Sequence, residues 1–199
     1  AILLGFPANR LIVIGVTGTS GKSTVCFMLH HILKATGRKT GLLSTLGIST
    51  GGELKINNKK MTMLGRTLTQ RLLSKMWLSS CKYAIVETTS EGVVQHRHKF
   101  INYDIAVFTN LYPEHIESHG GFENYKNAKM EFFSHVANSK RKKLAGNVIQ
   151  KVLVANIENK YSDEAFAKNF DKRVAVWREG QINSKTEVGM QEQAGTNIP

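Results

Sequence analysis

The stretch LIVIGVTGTSGKST, from Leu11 to Thr24, decides how this chain folds. Leu11-Ile12-Val13-Ile14-Gly15-Val16 is a short unbroken apolar run, the pattern of a strand covered on both faces in a parallel sheet. From Lys22 to about Ala35 the residues Val25, Phe27, Met28, Leu29, Ile32 and Leu33 fall on one broad helical side, and Gly37 closes that helix. Between strand and helix lies the loop Thr17-Gly18-Thr19-Ser20-Gly21-Lys22-Ser23-Thr24. This is the setting a phosphate-binding loop requires: glycines let backbone N–H groups turn inward around an anion, and the new helix aims its positive end at it. Lys22 can reach the β- and γ-phosphates of ATP as a point charge, and Ser23 is placed to bind the accompanying magnesium. The generic loop carries glycine five residues before Gly21, but that position is Val16 and the glycine sits at Gly15.

Working outward, the same alternation recurs. Thr40 to Leu46 reads as a strand, and Gly51-Gly52 marks a hairpin-like excursion. Leu68 to Ser79 reads as an amphipathic helix, followed by a strand at Tyr83 to Val86. Another strand is expected at Ile105 to Phe108, then a helix at Phe122 to Val136. A strand at Val152 to Ala155, a helix around Ser162 to Phe170 and a strand at Val174 to Trp177 complete the pattern. Repeated strand–helix–strand units predict an α/β domain, a mostly parallel sheet flanked by helices with a P-loop. One domain is expected over residues 1–180, with a polar tail over 181–199.

Composition narrows the classes. In 199 residues, 41% are hydrophobic and 21% charged, enough apolar material for a core and too much for a disordered chain. Three prolines and 17 glycines exclude a collagen-like polymer. Cys26 and Cys81 lie far apart without a CxxC, against a disulfide scaffold or zinc site, so a reducing, cytoplasmic setting is expected. No run approaches the ~20 apolar residues that cross a bilayer. The net charge of +12 favours anionic partners without choosing among them. Nucleic acid is not expected, since no stacking-aromatic or helix-turn-helix pattern is present. The cluster Lys140-Arg141-Lys142-Lys143 reads as a solvated helix end or loop.

Two further strand ends carry polar chemistry. Glu87-Thr88-Thr89-Ser90-Glu91-Gly92 follows one strand, and Phe108 to Gly120 (FTNLYPEHIESHG) closes another. Open α/β sheets place their sites at such carboxyl ends, so Glu87 is expected to meet the nucleotide. His115 alone reads as a loop histidine. Beside Glu87 and a P-loop it becomes a candidate to share a second divalent cation near the γ-phosphate. Lys129, in Tyr125-Lys126-Asn127-Ala128-Lys129, looks on pattern alone like an exposed helix lysine.

These blocks together resemble the Mur ligase family, most closely its MurE-type UDP-N-acetylmuramoyl-tripeptide synthetases. The loop is similar to the family's Thr-Gly-Thr-Asn-Gly-Lys-Thr-Thr. Glu87 to Arg97 (ETTSEGVVQHR) resembles its Glu-Val-Ser-Ser-His-Gly-Leu-x-Gln-x-Arg block. Phe108 to Gly120 resembles Phe-Thr-Asn-Leu-x-x-Asp-His-Leu-Asp-x-His-Gly, and Tyr125 to Lys129 resembles Tyr-x-x-Ala-Lys. The match covers the central ATPase domain, roughly Pro7 to Lys129 and more loosely to Trp177.

The resemblance implies that Thr17, Gly18, Thr19, Ser20, Gly21, Lys22, Ser23 and Thr24 hold ATP, with Ser23 on one Mg2+. It implies Glu87 and His115 on a second Mg2+, and Lys129 as a carbamylated lysine near that metal, with Lys22, His115 and Lys129 catalytic. Thr62, Thr89, Gln95 and Arg97 would contact a UDP-N-acetylmuramoyl-peptide; Arg97 suits this, since its planar fork matches carboxylate or phosphate oxygens. The implied reaction activates the substrate carboxylate as an acyl phosphate, which an amino-acid amine then converts to an amide. Departures are Glu114 and Glu117 for family aspartates, Glu91 for a family histidine, Met63 for a threonine, and Asn156-Ile157-Glu158-Asn159 for Asn-x-Asp-Asp. Full-length relatives place a UDP-binding domain before this one and an amino-acid-binding domain after it, and neither is expected in this chain. The alternatives are a nucleotide-binding module without ligase activity alone, and a related ligase such as a folylpolyglutamate or cyanophycin synthetase.

Overall fold

The computed structural model describes residues 1, 4–59, 61–114 and 119–178. β1 (Ile12–Thr17) passes through the glycine loop into α1 (Lys22–Ala35), followed by β2 (Thr40–Leu43), β3 (Gly47–Ser49) and β4 (Lys55–Ile56). Then come α2 (Arg66–Leu78), β5 (Tyr83–Glu87), α3 (Ser90–Val94), β6 (Ile105–Phe108) and α4 (Phe122–Asn138). A small hairpin of β7 (Lys143–Leu144) and β8 (Asn147–Val148) leads to β9 (Val152–Asn156), α5 (Ser162–Phe166) and β10 (Lys172–Val176).

Among the described residues, eight strands make one sheet in the order β10-β9-β6-β1-β5-β2-β3-β4. All neighbours are parallel except β2–β3 and β3–β4, which are antiparallel and form one edge. This is the α/β sheet the alternation predicts. β1 lies between β5 and β6, with Val16 level with Glu87 and Thr17 level with Phe108. The carboxyl ends of three strands therefore open at one height, beside the loop that follows β1. Such a switch point in an open α/β sheet leaves a crevice for a ligand.

The pleat of β1 sorts its residues between two cores. Val13 joins the larger one with Phe132, Phe133, Met76 and Leu153, while Ile14 and Val16 face the smaller one with Cys26, Leu42 and Ile85. Gly15 points to the larger core. A Cβ there would lie 2.5 Å from a Phe132 ring carbon and 2.8 Å from Tyr103. The glycine one residue early is therefore a packing glycine, selected by aromatic rings, rather than part of the phosphate loop.

Three local expectations need correction. The strand expected to reach Leu46 ends at Leu43, because the Ser44 N–H donates to the Gly47 carbonyl (3.0 Å) and turns the chain toward β3. The helix expected to reach Phe170 ends at Phe166. The basic cluster is solvated at Lys140, Arg141 and Lys143, but Lys142 is buried, donating to Asp104 at 2.5 Å and to the Leu11 carbonyl at 2.7 Å, while Arg141 forks onto Asp171. Lys151, fully buried, donates to the other Asp104 oxygen at 3.1 Å and to the Tyr103 carbonyl. Asp104 also accepts the Val13 N–H at 2.8 Å, so one carboxylate staples the start of β6 to β1 and to the chain around the hairpin. Residues 181–199 of the expected tail lie outside the described residues.

Candidate functional site

The loop after β1 is held open by its neighbour strand. Gly18 has φ +150°, and a Cβ on it would meet Thr109 Oγ1 at 1.9 Å, so only glycine fits. The Thr19 N–H donates to the Asn110 carbonyl and the Ser20 N–H to Asn110 Oδ1, both at 2.9 Å; Thr109 Oγ1 donates to the Ser20 carbonyl at 2.7 Å. Gly21, at φ +77°, begins α1 without a side-chain cap, which leaves the first-turn N–H groups directed at the crevice. Thr17 and Thr19 are buried under the loop, and Thr19 Oγ1 pairs with the Tyr125 hydroxyl at 2.9 Å. Thr24 is exposed on α1.

Lys22 curls over the loop and donates to the Thr19 carbonyl at 2.7 Å. Burial lowers its pKa, and Glu87 and Glu114 oppose that shift. Glu87, at the tip of β5, is 2% exposed. It accepts from Ser23 Oγ at 2.9 and 3.0 Å, from Ser44 Oγ at 2.5 Å and from the Thr45 N–H at 2.9 Å; Thr45 Oγ1 lies 3.0 Å from its second oxygen. A buried acid supported by neutral donors, with no ion pair among the described residues, leaves room for a cation. With its proton on Glu87, Ser23 keeps its lone pairs free. Ser23 and Glu87 are thus each free to offer the oxygen donors that magnesium prefers. Among the described residues no three His, Cys, Asp or Glu side chains converge, so such a cation would complete its shell with phosphate or water oxygens.

Lys129 is 1% exposed, contrary to the reading of its sequence pattern. Tyr125, Lys129, Phe132, Phe133 and Val136 form the buried stripe of α4, and the lysine belongs to it. Its amine donates to the Gly18 carbonyl at 2.8 Å and stands 4.6 Å from the Tyr125 ring centre. Burial first, and then Lys22, lower its pKa to about 7, against an opposing pull from Glu114. Burial also raises the Tyr125 pKa.

One cavity of about 340 Å³ joins these groups. Gly18, Lys22, Ser23, Glu87 and Lys129 line it, together with Thr62 and Thr89 from the proposed substrate set. Thr89 also caps α3, accepting the Gly92 N–H at 3.0 Å. Gln95 is exposed past the end of α3, and Arg97 donates to the Met63 carbonyl at 2.5 Å; neither lines the cavity. His115, with Glu117, lies outside the described residues. Sequence reasoning missed Ser44 and Thr45, which the strand-tip rule applied to β2 would have flagged. It also assigned no role to Thr109 and Asn110, although they stand in the block it singled out, nor to His119, whose Nε2 pairs with Ser90 Oγ at 3.2 Å.

The model of the Mur ligase middle domain matches residues 16–197. A UDP-N-acetylmuramyl-tripeptide synthetase of Borreliella afzelii is 41% identical over 134 residues, 66% of this chain and 26% of that protein. A UDP-N-acetylmuramoyl-L-alanyl-D-glutamate–2,6-diaminopimelate ligase of Halalkalibacterium halodurans is 37% identical over 141 residues, 71% of this chain and 29% of that protein. A solved structure of a ligase of the latter name superposes with a TM-score of 0.70 at 24% identity, covering 86% of this chain and 33% of its own, which shows a shared fold. The chain thus spans about a quarter to a third of the length of these relatives.

Proposed function

The chain belongs to the Mur ligase family, matching its middle domain, and from that premise we propose that it is the ATP-binding, phosphoryl-transferring part of a ligase that extends a UDP-N-acetylmuramoyl-peptide during peptidoglycan precursor synthesis. The observation that carries this reading is the convergence of Lys22, Ser23, Glu87 and Lys129 on one cavity at the strand tips. The domain occupies residues 1–180, works in the cytoplasm, and acts together with the UDP-binding and amino-acid-binding parts that full-length relatives carry.

In this reading the loop Thr17 to Thr24 holds the ATP phosphates through backbone N–H groups and Lys22. Ser23 holds one magnesium; Glu87, with His115, holds a second. Magnesium, when bound, neutralises charge on the phosphate oxygens. The substrate carboxylate attacks the γ-phosphorus, displacing ADP and forming an acyl phosphate. An amino-acid amine then attacks the acyl carbon and releases phosphate. Lys22 steadies the charge that develops on the transferring group, a matter of position and electrostatics. Lys129, buried and with a lowered pKa, suits addition to carbon dioxide, which requires a neutral amine and turns the side chain into an anion. Thr62 and Thr89 meet the muramoyl-peptide from the cavity wall, and Gln95 and Arg97 meet it beyond the cavity.

Titration calorimetry tests the reading. The chain should bind ADP with magnesium, and should bind UDP-muramoyl-dipeptide in preference to folate. Alone, it should form little or no amide bond. Preference for folate would move it to the folylpolyglutamate branch, and absence of nucleotide binding would overturn the proposal.

A further inference from the structure

Glu87 has neighbours that the reaction as proposed leaves unused. Thr45 follows β2 and donates its N–H to Oε2 of Glu87 at 2.9 Å, while its Oγ1 stands 3.0 Å from Oε1. The same Oγ1 is 2.9 Å from Oγ1 of Thr62 on the cavity wall. A hydroxyl has one proton to give, and an ionised carboxylate can only accept. Thr45 Oγ1 is the donor toward both Thr62 Oγ1 and Glu87 Oε1, so its one proton is shared between two acceptors. Glu87 and Thr62 therefore compete for the same hydroxyl proton. The turn that presents Thr45 is itself braced: the Ser44 N–H meets the Gly47 carbonyl at 3.0 Å, and Asn57 Nδ2 meets the Ser44 carbonyl at 2.9 Å.

Resting on the reading of Glu87 as a cation ligand, we infer that Thr45 is a positioning residue, which aims the Glu87 carboxylate at a divalent cation and couples that aim to the hydrogen bonding of Thr62. Partners behind a ligating carboxylate fix its orientation, and their loss commonly weakens metal binding. Hydrogen bonds in a chain polarise one another, so each link depends on the next. An oxyanion in the cavity that accepts from Thr62 makes the Thr62 oxygen a stronger acceptor, draws the Thr45 proton toward it and loosens the hold of Thr45 on Glu87. Cation affinity and occupancy beside Thr62 are therefore linked through one hydroxyl.

The test is Mn2+ binding to the chain, read by electron paramagnetic resonance in the presence of a non-hydrolysable ATP analogue, with thermal unfolding to verify folding. Thr45→Val should weaken Mn2+ by about 10-fold, the lower end of such second-layer effects. Thr45→Ser, which restores the hydroxyl, should stay within about twofold of the parent chain. Thr62→Val, which removes the competing acceptor, should tighten Mn2+ slightly, and the double variant should match Thr45→Val, because Thr62 acts through Thr45. Effects that multiply independently, or a Thr45→Val affinity equal to the parent's while Glu87→Gln is weakened, overturn the inference. Unaltered binding in Glu87→Gln overturns the metal reading and this inference with it. Should Thr45→Val not fold, Thr62→Val decides: unchanged Mn2+ affinity overturns the coupling.

Discussion

The Lys129 amine donates to the Gly18 carbonyl at 2.8 Å, joining the middle of α4 to the phosphate loop across 111 residues of sequence. A buried amine in that position is poised both to support the loop and to face whatever the loop holds. In a protein that carries the flanking domains, Lys129→Ala is expected to slow phosphoryl transfer by about 100-fold or more, the scale of losing a key electrostatic group. Small carboxylic acids should restore part of the rate by standing in for the carbamate. Wild-type rates in that variant would return Lys129 to a structural role.

Lys22 is held by the Thr19 carbonyl at 2.7 Å, a bond within the loop itself that ties no strand or helix to another. Lys22→Ala should therefore keep its unfolding midpoint while losing about 100-fold in ADP affinity, about 2.8 kcal/mol at 1.4 kcal/mol per tenfold. Calorimetric titration of ADP with magnesium checks the affinity, and an unchanged value would refute the loop assignment.

Much of this was readable before any coordinates, and the exceptions have physical causes. β1, the loop and α1 announce themselves because burial, glycine geometry and helix periodicity all act within 25 residues of one another. Glu87 was found because it ends a strand. Lys129 was misjudged from its own residue type, although its spacing from Tyr125, Phe132 and Val136 places it on the buried stripe of α4. Lys142 and Lys151 could not be read as buried, because their counter-ion, Asp104, comes from a distant strand. Short-range pattern fixes elements; long-range pairing of charges needs the fold. The Gly15 shift likewise made sense only once Phe132 and Tyr103 were seen against it.

The Asp104 staple makes a stability prediction. Its side chain is wholly buried, and it is the only acid among the described residues within ion-pair distance of either Lys142 or Lys151. Asp104→Asn keeps the shape but strands two buried ammonium groups, and breaking such a pair costs about 3–5 kcal/mol. Urea unfolding of the variant should show that loss with an unchanged slope. A loss below about 1 kcal/mol, the scale of a surface pair, would mean water already reaches this cluster.

Acid should loosen the joint between the segment after α3 and helix α4. His98 is buried there, its ring 4.8 Å from His135 in an edge contact, with Glu131 at 3.8 Å. Burial first, then the neighbouring His135, His96 and Lys99, push its pKa from 6.5 down to about 4. Between those values the unfolded chain holds more protons than the folded one, so stability falls as pH drops from 6.5 toward 4 and levels off below. His98→Phe keeps a ring against His135 but cannot take up a proton. It should unfold with a shallower dependence on pH across that window, His135 and His30, whose pKa values burial also lowers, contributing to the residual slope. Urea midpoints at pH 7, 5.5 and 4.5, compared between parent and variant, check this; parallel curves would place the acid sensitivity elsewhere in the fold.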